Sequence, residues 1–340
     1  MKKKLALAGM VLLAVLVVTG TVWAGGAQEE QASEGEMEGD QLKVALLLSG
    51  TISDQGWSYT AYQALKAVEE EFGAEVAYSE MIAPSDFEEV FRGYANAGND
   101  FIIGHGFEFG DAAKKVAKDF PDTYFAITSS TVSQEPNLAS IVMDDVESGF
   151  IQGLTMALLS ETGKVGMLGG MEIPPIMNQQ KGIRAGVNFQ NPDVELIGAT
   201  TGNFEDIAKA KEMALAMYEK DVDIIVPNVN KADFGVVEAA KETGNLVIGC
   251  TSDLGKEYPD VVITSLRESF DEAFIYVLNQ ILDGNFEAKN YKLGFAEGAI
   301  WLAPFRDFEE EISDENMARI EEVVAQLESN ELNADDYLVE

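Results

Sequence analysis

Trp57, Phe107, Phe109 and Phe204 occur in short segments that also hold Ser49, Thr128, Ser129, Asn203, Asn228, Asn230, Thr251, Ser252 and Asp253. Each segment follows an apolar run of strand length. Aromatic faces beside amide and hydroxyl edges suit a flat, polar, uncharged ligand, and stacking on such faces contributes about 1–3 kcal/mol per base in nucleic-acid binders. For any one of these aromatics the alternative is packing. Bond-breaking chemistry has little to work with. His105 is the only histidine, which excludes a His-rich metal site, and a Ser-His-Asp arrangement would have to be built on it without a nucleophile motif. The run GKVGMLGGM (163–171) lacks G-x-G-x-x-G spacing, and no P-loop occurs. Asp144-Asp145 reads as a helix cap and first turn. The residues therefore point to binding, with no cofactor and no metal.

These residues need elements to hold them at strand ends. From Leu42 the chain alternates strand-like runs (LKVALLLS, EVAYSEM, FIIGHGF, YFAITSS, LASIVMD) with helical patterns at 54–72, 86–97 and 109–119. A second series follows: KVGMLGG, ELIGAT, DIIVPNV and LVIGCT, with helices near 176–190, 205–220 and 232–243. Such alternation predicts an α/β protein with parallel sheets flanked by helices. An offset of about 122 residues places Ile102-Ile103 on Ile224-Ile225, Asp111 on Asp233 and Ala117 on Ala239, so two similar lobes are expected. Ligands of open parallel sheets meet the loops at the strands' C-terminal ends. The loops expected at a cleft are 49–57, 104–109, 128–132, 170–175, 202–206, 228–233 and 251–254. In SGTISDQGWSYTAY, Ser53 or Asp54 can cap the helix, whose core face is Ala61, Ala64, Leu65 and Val68. Trp57 extends that stripe by one turn and is expected at the cleft rim, with packing as the alternative.

The N-terminus is set apart from this pattern. MKKKLALAGMVLLAVLVVTGTVWAGG carries three lysines, a short apolar stretch and an A-x-A-like site before Gly25, as a secretory signal does. Leu5 to Val18 is short of the roughly 20 residues a span requires. No cysteine lies there to take a lipid; Cys250 is the only one and sits in the apolar run LVIGC. An exported protein without a lipid anchor is therefore expected, periplasmic or extracytoplasmic. Residues 25–41, largely QEEQASEGEMEGDQ, read as an acidic disordered linker. The formal net charge of −36 argues against nucleic acid or an anionic membrane surface as partner.

The segments GTISDQGWSYTAYQAL, VAKDFPDTYFAI, GKVGMLGGMEIPP, KGIRAGVNFQNPDVEL, GVVEAAKETGNLVIGCTSD and VVITSLRESFDEA resemble the basic membrane protein group of ABC-transporter substrate-binding proteins, which includes purine-nucleoside receptors. The resemblance runs from about Leu42 to Pro304. It implies a two-lobed type I periplasmic-binding fold with three hinge crossings: a first lobe of 42–144 plus 253–292, a second of 145–252 plus 293–304, and a helical tail at 305–340. It implies no enzyme, a monomer that hands a small ligand to ABC permease subunits, and an indole at Trp57 that stacks on a purine. The set assigned to the ligand is Ser49, Asp54, Trp57, Phe107, Thr128, Met171, Phe204, Asn228, Asn230, Thr251 and Asp253. Nucleoside binders of the group carry acids after three strands, where this chain has Leu48 or Ser49, Thr128 and Thr251. A lysine of the group is replaced by Glu268, beside Arg267. A sugar or another non-purine solute is the alternative ligand, and an exported purine-ribosyl enzyme the alternative of another class.

Overall fold

The structure is a computed structural model that describes residues 41–54 and 57–339. The expected signal and linker (1–40) and the Asp54 side chain lie outside the described residues. In chain order come β1 (Lys43–Leu48), α1 (Trp57–Phe72), β2 (Glu75–Ser79), α2 (Phe87–Asn96), β3 (Phe101–His105), α3 (Gly110–Ala117), β4 (Tyr124–Thr128) and β5 (Leu138–Met143). Then follow α4 (Asp145–Leu159), β6 (Lys164–Gly169), α5 (Pro174–Gln190), β7 (Glu195–Thr200), α6 (Ile207–Tyr218), β8 (Ile224–Asn228), α7 (Asp233–Thr243), β9 (Leu246–Gly249) and β10 (Val262–Glu268). The last are α8 (Phe270–Leu282), β11 (Asn290–Leu293), β12 (Ile300–Leu302) and α9 (Asp314–Glu328).

The described strands form two sheets, ordered β2-β1-β3-β4-β5-β11 and β7-β6-β8-β9-β10-β12. All neighbours run parallel except the pair β10 and β12. Val44–Leu48 are fully buried one after another, as a parallel strand covered on both faces requires. The expected two-lobed α/β fold is present, and the chain passes between sheets three times: after β5, after β10, and between β11 and β12. One boundary differs from expectation. β10 (Val262–Glu268) pairs with β9, so the chain from 253 leads into the second sheet and returns to the first only at Ser269. Thr251–Asp253 reads as a break in sequence, but it is a loop between strands of one sheet.

Helix faces follow their apolar spacing. Ala61, Ala64, Leu65 and Val68 are the buried stripe of α1, as expected. The helices α4 and α5 meet unusually closely. A Cβ on Gly149, Gly153, Gly182 or Gly186 would lie 2.1, 2.1, 2.2 or 1.9 Å from a backbone oxygen of the other helix. Two glycines at i, i+4 on each helix leave a smooth face that lets the backbones touch. The tail helix α9 buries Ile320, Val323 and Leu327 in the core that also holds Phe150 and Tyr291.

Candidate functional site

In each sheet the strand order reverses once, between β1 and β3 and between β6 and β8. Ligands of doubly wound sheets bind where the connections diverge, outside the strands' carboxyl ends. At the first reversal Leu48 is in register with His105. Ser49 and Trp57 come just after β1, and His105 ends β3. At the second, Gly169 is in register with Asn228, and Met171 and Asn230 follow in the two loops.

In the first lobe Trp57 stacks on His105 with ring centroids 4.1 Å apart and an interplanar angle of 26°. Phe270, the first residue of α8, meets the indole edge-on at 5.3 Å. The expectation of a rim position off the core needs correction: Trp57 is half-buried and packed against the first core cluster. Thr128 is fully buried. Its Oγ1 lies 2.9 Å from His105 Nδ1 and accepts the Gly106 N–H at 2.9 Å. The hydroxyl thus faces inward to the histidine. Phe109 is fully buried against Phe87 and Phe91 and leaves the set of cleft aromatics, while Phe107, two residues earlier, is 64% exposed. Ser49 donates to Glu108 Oε1 at 2.6 Å, which places a carboxylate from the loop after β3 beside the end of β1. Glu80 accepts from the Thr51 hydroxyl and the Ile52 N–H, tying the loop after β1 to the end of β2. Ser53 bonds Thr51.

In the second lobe the Phe204 ring lies over Gly170, where a Cβ would come within 2.2 Å of it. Met171 is 43% exposed. Asn228 donates to Gln179 Oε1 at 2.7 Å, and Gln179 donates to Gln152 Oε1 at 2.8 Å and to the Cys250 sulfur at 3.2 Å. Burial pushes the Cys250 thiol up, so it stays protonated. Asn230 is exposed, with a left-handed φ of 52°. Thr251 (φ 65°) and Ser129 (φ 52°) share that conformation at equivalent places after β9 and β4. Asp253 is held by Arg306 at 2.6 Å, and that ion pair occupies one of its oxygens. Asp233 accepts the Val229 N–H, and burial raises its carboxyl to about 8.

The crossings carry a third group. Asp144 caps α4 through the N–H groups of Val146 and Glu147 and pairs with Lys292. Glu147 accepts the Phe295 N–H, and burial, with the Asp144 charge beside it, raises it to about 7. Burial does the same to Glu268 at the end of β10. His105, Phe270, Glu108 and Gln179 are the residues that the sequence did not single out as part of a binding site. A lone histidine at the end of an apolar strand-like run was the available sign.

Among the described residues no cluster of His, Cys, Asp and Glu could hold a metal ion, and no helix is long and apolar enough to cross a membrane. Aromatic rings and amides gathered at the strand ends are groups that can hold a ligand.

Residues 41–333 match the family model described as ABC transporter substrate-binding protein PnrA-like. The chain is similar to basic membrane protein A of Borreliella burgdorferi, 32% identical over 79% of this chain and 81% of that protein. It is also similar to a purine-binding protein of Brucella abortus, 27% identical over 94% of this chain and 88% of that one. An ABC transporter solute-binding protein from Conexibacter woesei superposes with a TM-score of 0.72 at 27% identity, over 88% of this chain and all of that one. With a two-lobed fold and a family model spanning nearly all the described residues, the chain belongs to the PnrA-like family of ABC transporter substrate-binding proteins.

Proposed function

We propose that the protein is the extracytoplasmic receptor of an importer and takes a purine base or nucleoside between its lobes. The observation that carries this reading is the placement of Trp57 at the β1/β3 reversal with one face backed by His105. An indole held in that way offers its remaining surface to a flat ring. The purine-binding relative supports the ligand class, and the amides of Asn228 and Asn230 and the Ser49–Glu108 pair supply polar edges for it. Closure of the lobes about the three crossings would enclose the ligand and present the closed form to a permease. The chain acts as a monomer, freed of its leader, and breaks no bond.

The test is a thermal-shift panel of adenosine, guanosine, inosine, hypoxanthine, glucose and ribose. Linkage gives about 2.7 kcal/mol of stabilisation at a ligand concentration 100-fold above Kd. A shift with purines supports the reading. A shift with a sugar alone overturns the ligand class, and release of free base from a nucleoside overturns the non-enzymatic role.

A further inference from the structure

We infer that His105 is a positioning residue: it sets the plane of the Trp57 indole and ties it to the ends of two neighbouring strands. The inference rests on the reading of Trp57 as the stacking surface and deepens it. His105 is 1% exposed and ends β3. Its Nε2 lies 3.2 Å from the Trp57 carbonyl oxygen. That oxygen only accepts, so Nε2 carries the proton. Nδ1 faces the Thr128 hydroxyl 2.9 Å away. The Thr128 oxygen also takes the Gly106 N–H. The imidazole is thereby held at both ring nitrogens, between the Trp57 backbone and the end of β4.

The same imidazole touches the tryptophan twice, through its ring face and through the backbone carbonyl. A stack alone permits sliding and rotation. The hydrogen bond fixes the imidazole against the Trp57 backbone, so the indole stacks on a ring that is itself held before ligand arrives, which lowers the ordering cost of binding. Phe270 stands edge-on to both rings, at 4.8 Å from His105 and 5.3 Å from Trp57. It lies two residues past the end of β10, where the chain returns to the first sheet. The indole is therefore referenced to β3, β4 and the second crossing together. Thr128 is the support of the histidine, and that is why a hydroxyl at a strand end does not face the cleft.

The experiment uses the full chain with Trp23→Phe and Trp301→Phe, which leaves Trp57 as the single emitter. Time-resolved fluorescence anisotropy without ligand reads indole mobility, and calorimetric titration with inosine reads binding. His105→Ala is expected to give a fast local component absent from the parent, and to weaken inosine by about 2- to 12-fold, the scale of ordering one side chain. His105→Phe keeps the ring but not the hydrogen bonds, and is expected to fall between the two. Thr128→Val, which removes only the hydroxyl, is expected to loosen the indole in the same sense, and serves if the alanine variant does not fold. An indole equally rigid in folded His105→Phe and Thr128→Val overturns the inference. If none of the purines of the thermal-shift panel binds the parent, the ligand reading fails, while the anisotropy still decides the role of His105.

Discussion

Lys292, on β11 of the first sheet, pairs with Asp144 at 2.7 Å, where the chain first leaves that sheet. The same ammonium reaches Asp335 of the C-terminal tail, also at 2.7 Å. One cation therefore joins two crossings to the tail. Asp144 is nearly enclosed, whereas Lys292 and Asp335 face solvent. Lys292→Ala should leave a buried carboxylate without its counter-charge. Breaking a fully buried pair costs about 3–5 kcal/mol; the solvated lysine reduces that here to roughly 1–2 kcal/mol. Asp335→Asn should cost under about 1 kcal/mol. Urea melts of the two variants check the order, and equal losses would contradict it.

Stability should fall as pH rises from the ordinary carboxylate range toward about 7. Glu147 and Glu268 are both raised from 4.5 to about 7, chiefly by burial, and Asp145 is raised well above its usual value for the same reason. In that window the folded chain binds more protons than the unfolded one, so each unit of pH removes stability. Glu88, lowered by its hydrogen bond to Arg92, acts the other way but only at lower pH. Tm should be higher at about pH 5 than at about pH 8, and Glu147→Gln with Glu268→Gln should flatten the slope. A Tm that rises across the same interval would refute this.

Gly186→Ala should be among the most damaging single-methyl changes available. Its Cβ would sit 1.9 Å from the Phe150 carbonyl oxygen, and backbone cannot turn aside as a side chain can. Overpacking typically costs about 1–3 kcal/mol and more where nothing relaxes. Gly93→Ala is the control. It lies inside α2 with nothing within 4 Å of its Cβ, and should stabilise by about 0.5–1 kcal/mol. Denaturant midpoints with unchanged slopes would show opposite signs for the same added atom.

Trp57→Ala should weaken ligand by about 1–3 kcal/mol, or roughly 5- to 150-fold, and Trp57→Phe by much less. Because the indole also packs on His105 and Phe270, the alanine variant should lose apo stability as well. Titrating the folded fraction, with its size taken from the melt, separates the two effects. Normal affinity in that fraction would return Trp57 to packing and leave Phe107 and Phe204 as stacking candidates.

The buried stripe of α1 was legible because period 3.6 survives any context. The repeat at an offset of about 122 was legible too, and β3 with α3 matches β8 with α7 at that spacing. The membership of β10 was not, because a strand's partner is a long-range fact that local pattern does not carry. Thr128 and Phe109 were misplaced for a simpler reason. A strand-end loop turns some side chains outward and others in, and one residue of phase decides which. Phe107 and Phe109 share a three-residue turn and point to opposite surroundings.

The edge strand β11 joins the first sheet beside β5, yet the whole of the second sheet except β12 separates the two in the chain. On a ribosome, β5 therefore emerges long before the strand that covers it. Its bare flank must wait through the synthesis of a second lobe, and β10 waits likewise for β12. An open strand edge is a place where other chains attach. Neither sheet can be completed until residues 290–302 exist, so assembly is deferred to the end of translation. Loss of those few residues would leave both lobes unfinished together.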